Sequence, residues 1–104
     1  MTLDKTINLV TLALDASLMR QTAIAANIAN INTKGYQTMK VDFETQLLDS
    51  NENIKPVYEY TDAPTSIDEQ IASSVKNATQ YRALIKGLNH KLAIMKLAVQ
   101  GNNT

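Results

Sequence analysis

The chain has 104 residues and no cysteine, and its ten basic residues balance its ten acidic residues. A chain of this length forms one domain at most and buries only about two-thirds of the surface that it exposes when unfolded. The zero formal charge argues against a nucleic-acid-binding protein, which must neutralise several phosphates. Without cysteine, neither a disulfide framework nor a thiolate metal site is available.

The beginning of the chain does not resemble a cleaved secretory signal peptide. Its first twelve residues lack a basic region and a continuous apolar stretch. No run of eighteen apolar residues occurs either, so we expect no membrane-spanning helix. If the protein works outside the cytoplasm, we expect it to leave by a route other than a cleaved signal.

The first element, residues 2–30, is predicted to be a long amphipathic helix. Six of eight positions on a 3-4 alternation are apolar, which is typical of a coiled coil. The seam consists of Leu3, Ile7, Val10, Leu14, Ile24 and Ile28, with polar Ser17 and Gln21 at the remaining positions. The polar pair and the neighbouring Leu18 are candidates for setting the register of a partner helix. The alternative interpretation is a two-helix hairpin whose core contains one hydrated layer of polar side chains.

Residues 25–36 predict where this helix ends. They read A-A-N-I-A-N-I-N-T-K-G-Y, so Asn27 and Asn30 precede a Thr-x-Gly-Tyr turn. Gly35 supplies the positive φ that stops a helix, and asparagine side chains compete for their own backbone. Because asparagine is a poor helix former, the pair indicates side chains committed to hydrogen bonds with a neighbouring backbone or subunit. An ordinary glycine-capped helix end is the plain alternative.

Residues 31–66 form the predicted turn and irregular central segment. Residues 41–48 suit either a short amphipathic helix or an extended arm, and residues 49–53 read as a polar turn. Residues 55–64 contain Pro56 and Pro64 and are rich in tyrosine and valine, so they favour an extended or short strand conformation. We expect this segment to be poorly ordered unless a neighbour covers it.

The last predicted helix covers residues 67–100. Ser66 and Glu69 form a Ser-x-x-Glu capping box, which predicts that the helix begins at Ile67. Two heptad sets follow, and nine of their ten positions are apolar or aromatic: Ile71, Ala78, Ile85, Leu92 and Val99, and Ile67, Ser74, Tyr81, Leu88 and Met95. With Leu84, Ile94 and Leu97 on a second flank, the helix has more apolar surface than one antiparallel neighbour covers. The surplus predicts further partner helices.

These elements predict a mainly α fold in a single domain spanning residues 1–104. The long N- and C-terminal helices are expected to pack as an antiparallel, coiled-coil-like pair around an irregular or extended central segment. His90 is the only histidine, and it lies on the polar side of the last helix. The sequence has no Ser-His-acid set, no metal-ligand spacing and no glycine-rich phosphate loop. We therefore expect a non-enzyme with no cofactor and no bound metal.

The pattern A-N-I-A-N-x-x-T-x-G-Y resembles the signature of the flagellar rod and hook family of axial proteins. Six residues match it position by position: Asn27, Ala29, Asn30, Thr33, Gly35 and Tyr36. Residues 41–43 and 77–98 are similar to proximal-rod members of the family, so the resemblance covers roughly residues 12–48 and 67–99. Lys34 stands where these members often have proline, and the centre of the chain is shorter than is usual among them.

This resemblance implies a structural subunit of the bacterial flagellar basal body, located in the periplasmic rod. It implies export through the flagellar type III apparatus without a cleaved signal peptide. Subunits of the family polymerise with copies of themselves and with sibling rod proteins, here FlgC, FlgF and FlgG, next to the junction protein FliE and the MS ring. No nucleic acid and no small-molecule substrate is implied.

Subunit contacts are predicted from the motif and from the last helix. The candidate residues are Asn27, Ala29, Asn30, Thr33, Gly35, Tyr36, Ile71, Tyr81, Ile85, Leu88, Leu92 and Met95. An alternative from another class is a soluble helical adaptor or chaperone that sheathes the amphipathic helix of a partner. A stable, fully helical monomer is the property that favours that alternative.

Overall fold

The computed structural model describes residues 2–48 and 53–102, and the side chains of residues 5–47 and 53–101. Its elements are helix α1 (Thr2–Ala29), strand β1 (Thr38–Asp42), the short helix α2 (Glu44–Leu48), strand β2 (Val57–Thr61) and helix α3 (Ile67–Asn102). The prediction of a mainly α fold with two long helices packed together is confirmed. The side chain of Leu3 and most of the predicted polar turn at residues 49–53 lie outside the described residues.

Helices α1 and α3 run antiparallel, and hydrogen bonds between their side chains define the register. Three such bonds are Ser17 Oγ to Asn77 Oδ1 at 2.9 Å, Gln21 Nε2 to Ser74 Oγ at 3.4 Å, and Asn27 Nδ2 to Gln70 Oε1 at 3.1 Å. Residue numbers rise along α1 as they fall along α3, which is the antiparallel arrangement. Both helices rise by the same distance per residue, so the register can be continued along them. It places the first described turn of α1 opposite about residue 92.

The face of α3 that packs on α1 is displaced by one residue from the predicted heptad set that contains Ile71. Gln70 and Asn77 are buried, whereas Ile71, Leu92 and Val99 are 50%, 45% and 60% exposed. The set containing Ile71 therefore does not form the seam as a whole, although its member Ile85 is half-buried. The physical reason is that buried amide groups must find hydrogen-bond partners, and the partners on α1 hold Gln70 and Asn77 inward. The complementary set is half-buried at Ser74, Tyr81, Leu88 and Met95.

Helix α1 also buries polar residues in its seam. Asn27 is 2% exposed, whereas Ile28, the predicted seam residue beside it, is 36% exposed. Ser17 is buried and bonds to α3, so the prediction that a polar residue contributes to the register is confirmed. Leu18 is 56% exposed and takes no part in the seam.

The interior is small and half polar. Apart from Pro56, the buried side chains of the described residues are four apolar and four polar ones: Ala16, Ala23, Ile24 and Phe43, and Ser17, Asn27, Gln70 and Asn77. The chain exposes 7569 Å², whereas a compact monomer of this mass exposes about 5,800 Å². Its radius of gyration is 17.5 Å, against about 13 Å for a compact chain of this length. The protein is elongated and has little core of its own.

The central segment contains an antiparallel two-stranded sheet of β1 and β2. Its register pairs Thr38 with Thr61, Lys40 with Glu59, and Asp42 with Val57. The extended conformation predicted for residues 55–64 is confirmed in β2, and residues 41–48 contain both predicted alternatives, a strand end followed by α2. Because an isolated two-stranded sheet is marginally stable in water, its contacts with α1 decide whether it forms. None of the described helices combines the length and apolar character needed to cross a membrane.

Candidate assembly surfaces and the helix-end motif

The helix-end motif forms two consecutive turns that terminate α1. Asn30 Nδ2 donates to the Ala26 carbonyl at 2.9 Å, the Thr33 amide donates to the Asn30 carbonyl at 2.9 Å, and the Tyr36 amide donates to the Thr33 carbonyl at 3.2 Å. Gly35 is the third residue of the second turn and has a φ of +79°. That position of a type II turn requires a positive φ, which costs an L side chain about 1–2 kcal/mol. The expectation that Gly35 itself stops the helix is wrong, because α1 already ends at Ala29 and the turn from Asn30 to Thr33 lies in between.

Asn27 is the centre of the hydrogen bonding around this motif. Its Nδ2 donates to the Met39 carbonyl at 2.9 Å and to Gln70 Oε1 at 3.1 Å, and its Oδ1 accepts from the Met39 amide at 2.8 Å and from Tyr36 Oη at 3.1 Å. These four bonds use the full capacity of an asparagine side chain. The backbone of Met39 is thus a partner of Asn27, as the sequence indicates, and the side chains of Gln70 and Tyr36 are the others.

The side chains of α1 cover one edge of β1. Asn27 bonds to both the amide and the carbonyl of Met39, as a neighbouring strand would. Two residues further along, Arg20 Nη2 donates to the Val41 carbonyl at 3.4 Å. Arg20 also forms an ion pair with Glu44, which is the first residue of α2. The sheet is thus fixed to α1 through the backbone of β1.

The same network reaches the beginning of α3. Gln70, which bonds to Asn27, donates from Nε2 to Thr65 Oγ1 at 2.9 Å. The amide of Glu69 donates to Ser66 Oγ at 3.1 Å, which is one half of the predicted capping box, and α3 begins at Ile67 as that box predicts. The Glu69 carboxylate, however, accepts from the Thr65 hydroxyl at 3.3 Å. The end of α1, the sheet and the start of α3 are therefore held by one cluster of polar side chains.

Exposed apolar side chains line the side of the helix pair that faces away from the sheet. We call this set the outer apolar face, and it consists of Leu18 (56% exposed), Ile28 (36%), Ile67 (46%), Ile71 (50%) and Val75 (62%). Ile67, Ile71 and Val75 are four residues apart, so they form one stripe along α3. The other flank of α3 borders the groove between the helix and the sheet and is polar, with Glu69, Ser73, Lys76 and Gln80.

The last turns of α3 expose a second group of large apolar side chains, which we call the distal segment. Its members are Leu92 (45% exposed), Ile94 (50%), Leu97 (67%) and Val99 (60%). Leu92 and Val99 are seven residues apart and share one stripe, whereas Ile94 and Leu97 lie on another. The surplus of apolar surface that the sequence predicts for this helix is present in the structure.

The predicted contact residues fall into three groups. Asn27 is buried and fully hydrogen-bonded within the chain. Tyr81, Ile85, Leu88 and Met95 are half-buried along α3, and Asn30 and Tyr36 are half-buried in the motif. The exposed members are Ala29, Thr33, Gly35, Ile71 and Leu92. The role of these residues in subunit contacts stays a prediction.

Three residues of the network were not singled out from the sequence as polar contacts. Gln70 and Asn77 carry a usable signal, since two amide side chains stand seven residues apart directly before apolar heptad positions. Arg20 carries none, because its partners become neighbours only when the sheet folds onto α1. Among the described residues no group of three or more histidine, aspartate or glutamate side chains is placed to hold a metal ion, and His90 is exposed.

Residues 11–37 match the family model described as flagella basal body rod protein. This match covers about a quarter of the chain, namely roughly the last two-thirds of α1 and all of the helix-end motif. Comparison with curated proteins gives no match. The family is a structural component of the flagellum rather than an enzyme family. Over residues 11–37 the chain is therefore similar to flagellar basal body rod proteins.

Proposed function

We propose that the chain is the proximal-rod protein FlgB and that it polymerises through α1 and α3 into the torque-transmitting drive shaft of the flagellum. The main observation in favour is the outer apolar face, which lies on both helices of a protein whose interior is half polar. Residues 77–98 favour FlgB, because they resemble the carboxyl end of that protein. The sibling FlgC shares the Asn-x-x-Thr-x-Gly-Tyr motif but differs at its carboxyl end. It is the alternative assignment within the flagellar rod.

The outer apolar face supplies a driving force for assembly. Its five side chains are about half exposed, so burying the remainder contributes about 1 kcal/mol for each of them. The total of about 5 kcal/mol equals the lower end of the folding stability of a small domain. A helix pair with a thin interior is therefore marginal alone and gains stability when neighbouring subunits cover this surface.

The predicted contact residues take different parts in this proposal. Ile71 and Leu92 supply apolar surface to neighbouring helices, and Ala29, Thr33 and Gly35 are exposed at the end of α1, where polar links between subunits are available. The half-buried residues of α3 hold the helix pair together, and Asn27 supports the interface indirectly by fixing the sheet. Torque passes from subunit to subunit through many such contacts.

The partners follow from the same proposal. They are other copies of the chain, the rod proteins FlgC, FlgF and FlgG, and FliE with the MS ring at the base of the rod. The subunit reaches its place in the periplasmic rod through the flagellar type III export apparatus. The adaptor hypothesis lacks its distinguishing property, a fully helical monomer, because the described residues include a two-stranded sheet.

Charged substitutions on α3 test this proposal in cells. Ile71 and Leu92 are 50% and 45% exposed, so Ile71→Asp and Leu92→Asp disturb the isolated fold little but place an unpaired charge in a subunit contact. We expect both variants to be exported and to be missing from purified basal bodies. Gln80→Asp is the matched control, since Gln80 lies nine residues from Ile71 and hence on the opposite side of the helix.

We expect cells with Gln80→Asp in their basal bodies to swim. Cells that express Ile71→Asp are expected to be non-motile. Ile85→Asp is expected to block assembly as well, although Ile85 is half-buried and its substitution also weakens the helix pair. Incorporation of Ile71→Asp and Leu92→Asp at normal levels would refute the proposed contact surface.

A further inference from the structure

We propose that the outer edge of β2 accepts an extended strand from a different protein chain, so that the two-stranded sheet is completed on assembly. The proposal concerns residues 57–61, which lie apart from the outer apolar face of the helix pair. It depends only on the geometry of the sheet and holds whichever rod protein the chain is.

The hydrogen bonds of Met39 show which backbone groups of β2 are open. The amide and carbonyl of Met39 bond to Asn27 and hence point away from β2. Met39 pairs with Tyr60 in the sheet register, so this is a non-hydrogen-bonded pair of the antiparallel ladder. Such pairs alternate along the ladder, and Val41 with Tyr58 is the next one. The backbone groups of Tyr58 and Tyr60 therefore point outward, away from β1.

The two edges of the sheet differ in whether another element covers them. Asn27 and Arg20 of α1 occupy the outward groups of β1. Within the described residues, no element lies along the outer edge of β2, and Tyr58, Glu59 and Tyr60 are all exposed. Stand-alone proteins usually cover or blunt such an edge because it is a template for pairing with another strand. An uncovered edge rich in aromatic residues fits a protein that pairs with a neighbour.

The side chains of β2 specify the strand that fits. Tyr58 and Tyr60 lie on one face of the sheet, together with Met39 and Val41, and Glu59 lies on the other face. Among the described residues, the carboxylate of Glu59 forms no ion pair. An added strand therefore needs apolar residues opposite the two tyrosines and a basic residue opposite Glu59. An apolar–basic–apolar strand has this chemistry.

A second copy of β2 fits less well. In the antiparallel register that overlaps both tyrosines, Glu59 of one copy stands directly opposite Glu59 of the other, and like charges in opposite positions destabilise a sheet. Shifting the register toward the start of the strand brings in Pro56, which has no amide hydrogen to donate. The segment Met39-Lys40-Val41, in contrast, already pairs with the inner edge of β2 in the required apolar–basic–apolar order.

A peptide with the sequence of residues 37–43 is a suitable probe. We would titrate it into the ¹⁵N-labelled full chain, after confirming by nuclear Overhauser effects that Met39 and Tyr60 are in contact. The expected result is a saturable shift of the Tyr58 and Tyr60 amide signals and slower hydrogen exchange at both. A peptide with glutamate in place of the lysine is expected to bind more weakly, because it meets Glu59 with a like charge.

Two variants of the chain make the test specific. Tyr60→Pro removes an outward donor and leaves the bonds between β1 and β2 in place, since proline is tolerated at the open side of an edge strand. We expect it to weaken peptide binding about two- to tenfold, which corresponds to the loss of one hydrogen bond. The double variant Lys40→Glu/Glu59→Lys keeps opposite charges facing each other between β1 and β2. It is expected to reverse the preference, so that the glutamate peptide binds better than the lysine peptide.

Several results would overturn the proposal. They are the absence of a saturable shift, equal binding by Tyr60→Pro, no reversal with the double variant Lys40→Glu/Glu59→Lys, and a chain in which the Met39–Tyr60 contact does not form. Shifts of Thr38, Lys40 and Asp42 would show that the peptide displaces β1 instead of adding to β2. Shifts of Tyr58 and Tyr60 that depend on the concentration of the chain alone would identify a second copy as the occupant.

Discussion

Replacing Asn27 by alanine removes the side chain that connects α1, β1 and α3. The substitution deletes four hydrogen bonds and leaves the amide and carbonyl of Met39 without their partner. The remaining partners are Gln70, which keeps its bond to Thr65, and Tyr36, which is half-buried and within reach of water.

The size of the effect follows from these partners. A buried backbone group that loses its hydrogen bond costs about 1–3 kcal/mol, and the two groups of Met39 together cost about 3 kcal/mol. The higher helix propensity of alanine offsets about 0.5 kcal/mol of this loss in the free energy of unfolding. We expect Asn27→Ala to lower the free energy of unfolding by about 2–3 kcal/mol, which is a large share of the 5–15 kcal/mol typical of a small domain.

Urea unfolding followed by circular dichroism measures this change. A stabilising osmolyte in the buffer raises the free energy of unfolding, so that the unfolding transition lies within the measurable range of urea concentrations. Asn8→Ala is the matched control, because Asn8 is an exposed residue of the same helix and its replacement should be neutral or slightly stabilising. Hydrogen exchange at the Met39 amide reports on the sheet, and we expect it to accelerate only in Asn27→Ala. Equal stability of the two variants, within about 0.5 kcal/mol of each other, would refute the role assigned to Asn27.

Four further substitutions test the local geometry. Gly35→Ala is expected to cost about 1–2 kcal/mol in the same assay, because φ is +79° at that residue; an unchanged midpoint would mean that the turn does not need glycine. Lys34→Pro is expected to stabilise the chain by about 0.4–1 kcal/mol, since proline is favoured at the second position of a type II turn, and a loss of stability would contradict that geometry. For the Ser17–Asn77 pair, Ser17→Ala and Asn77→Leu are each expected to destabilise by about 1 kcal/mol. The double variant should recover part of that loss, and strict additivity would show that the two side chains do not interact.

The ends of the long helices could be predicted because their signals are local. The positive φ of Gly35 forms the second of the two turns that follow α1, and Ser66 caps the helix that begins at Ile67. Both effects involve residues within three positions of one another, so a single sequence contains the relevant information. The same holds for β2, where flanking prolines and tyrosines exclude a helix.

The seam of α3 could not be predicted from apolar periodicity. The sets that begin at Gln70 and at Ile71 both repeat every seven residues, and the hydrophobic rule selects the second. In the structure the first set packs inward, because Gln70 and Asn77 find hydrogen-bond partners on α1. A pattern of apolar residues does not contain the identity of a partner more than forty positions away.

The pairing of β1 was equally beyond the sequence. Residues 38–42 show no strong period, and their strand conformation depends on β2 and on the asparagine that covers their outer edge. The importance of Asn27 was recognisable from its position in the motif. That it bonds to the backbone of Met39 became visible only in the folded chain.

The proposal that the chain is a rod subunit is tested by the composition of hook–basal bodies purified from the organism that makes this chain. Mass spectrometry of the detergent-extracted particles would determine whether the chain is present in a fixed ratio to the other rod proteins. We expect a constant ratio that persists through further purification. Absence from the particles, with the protein free in the cytoplasm of cells that still swim, would contradict the assignment of a rod subunit.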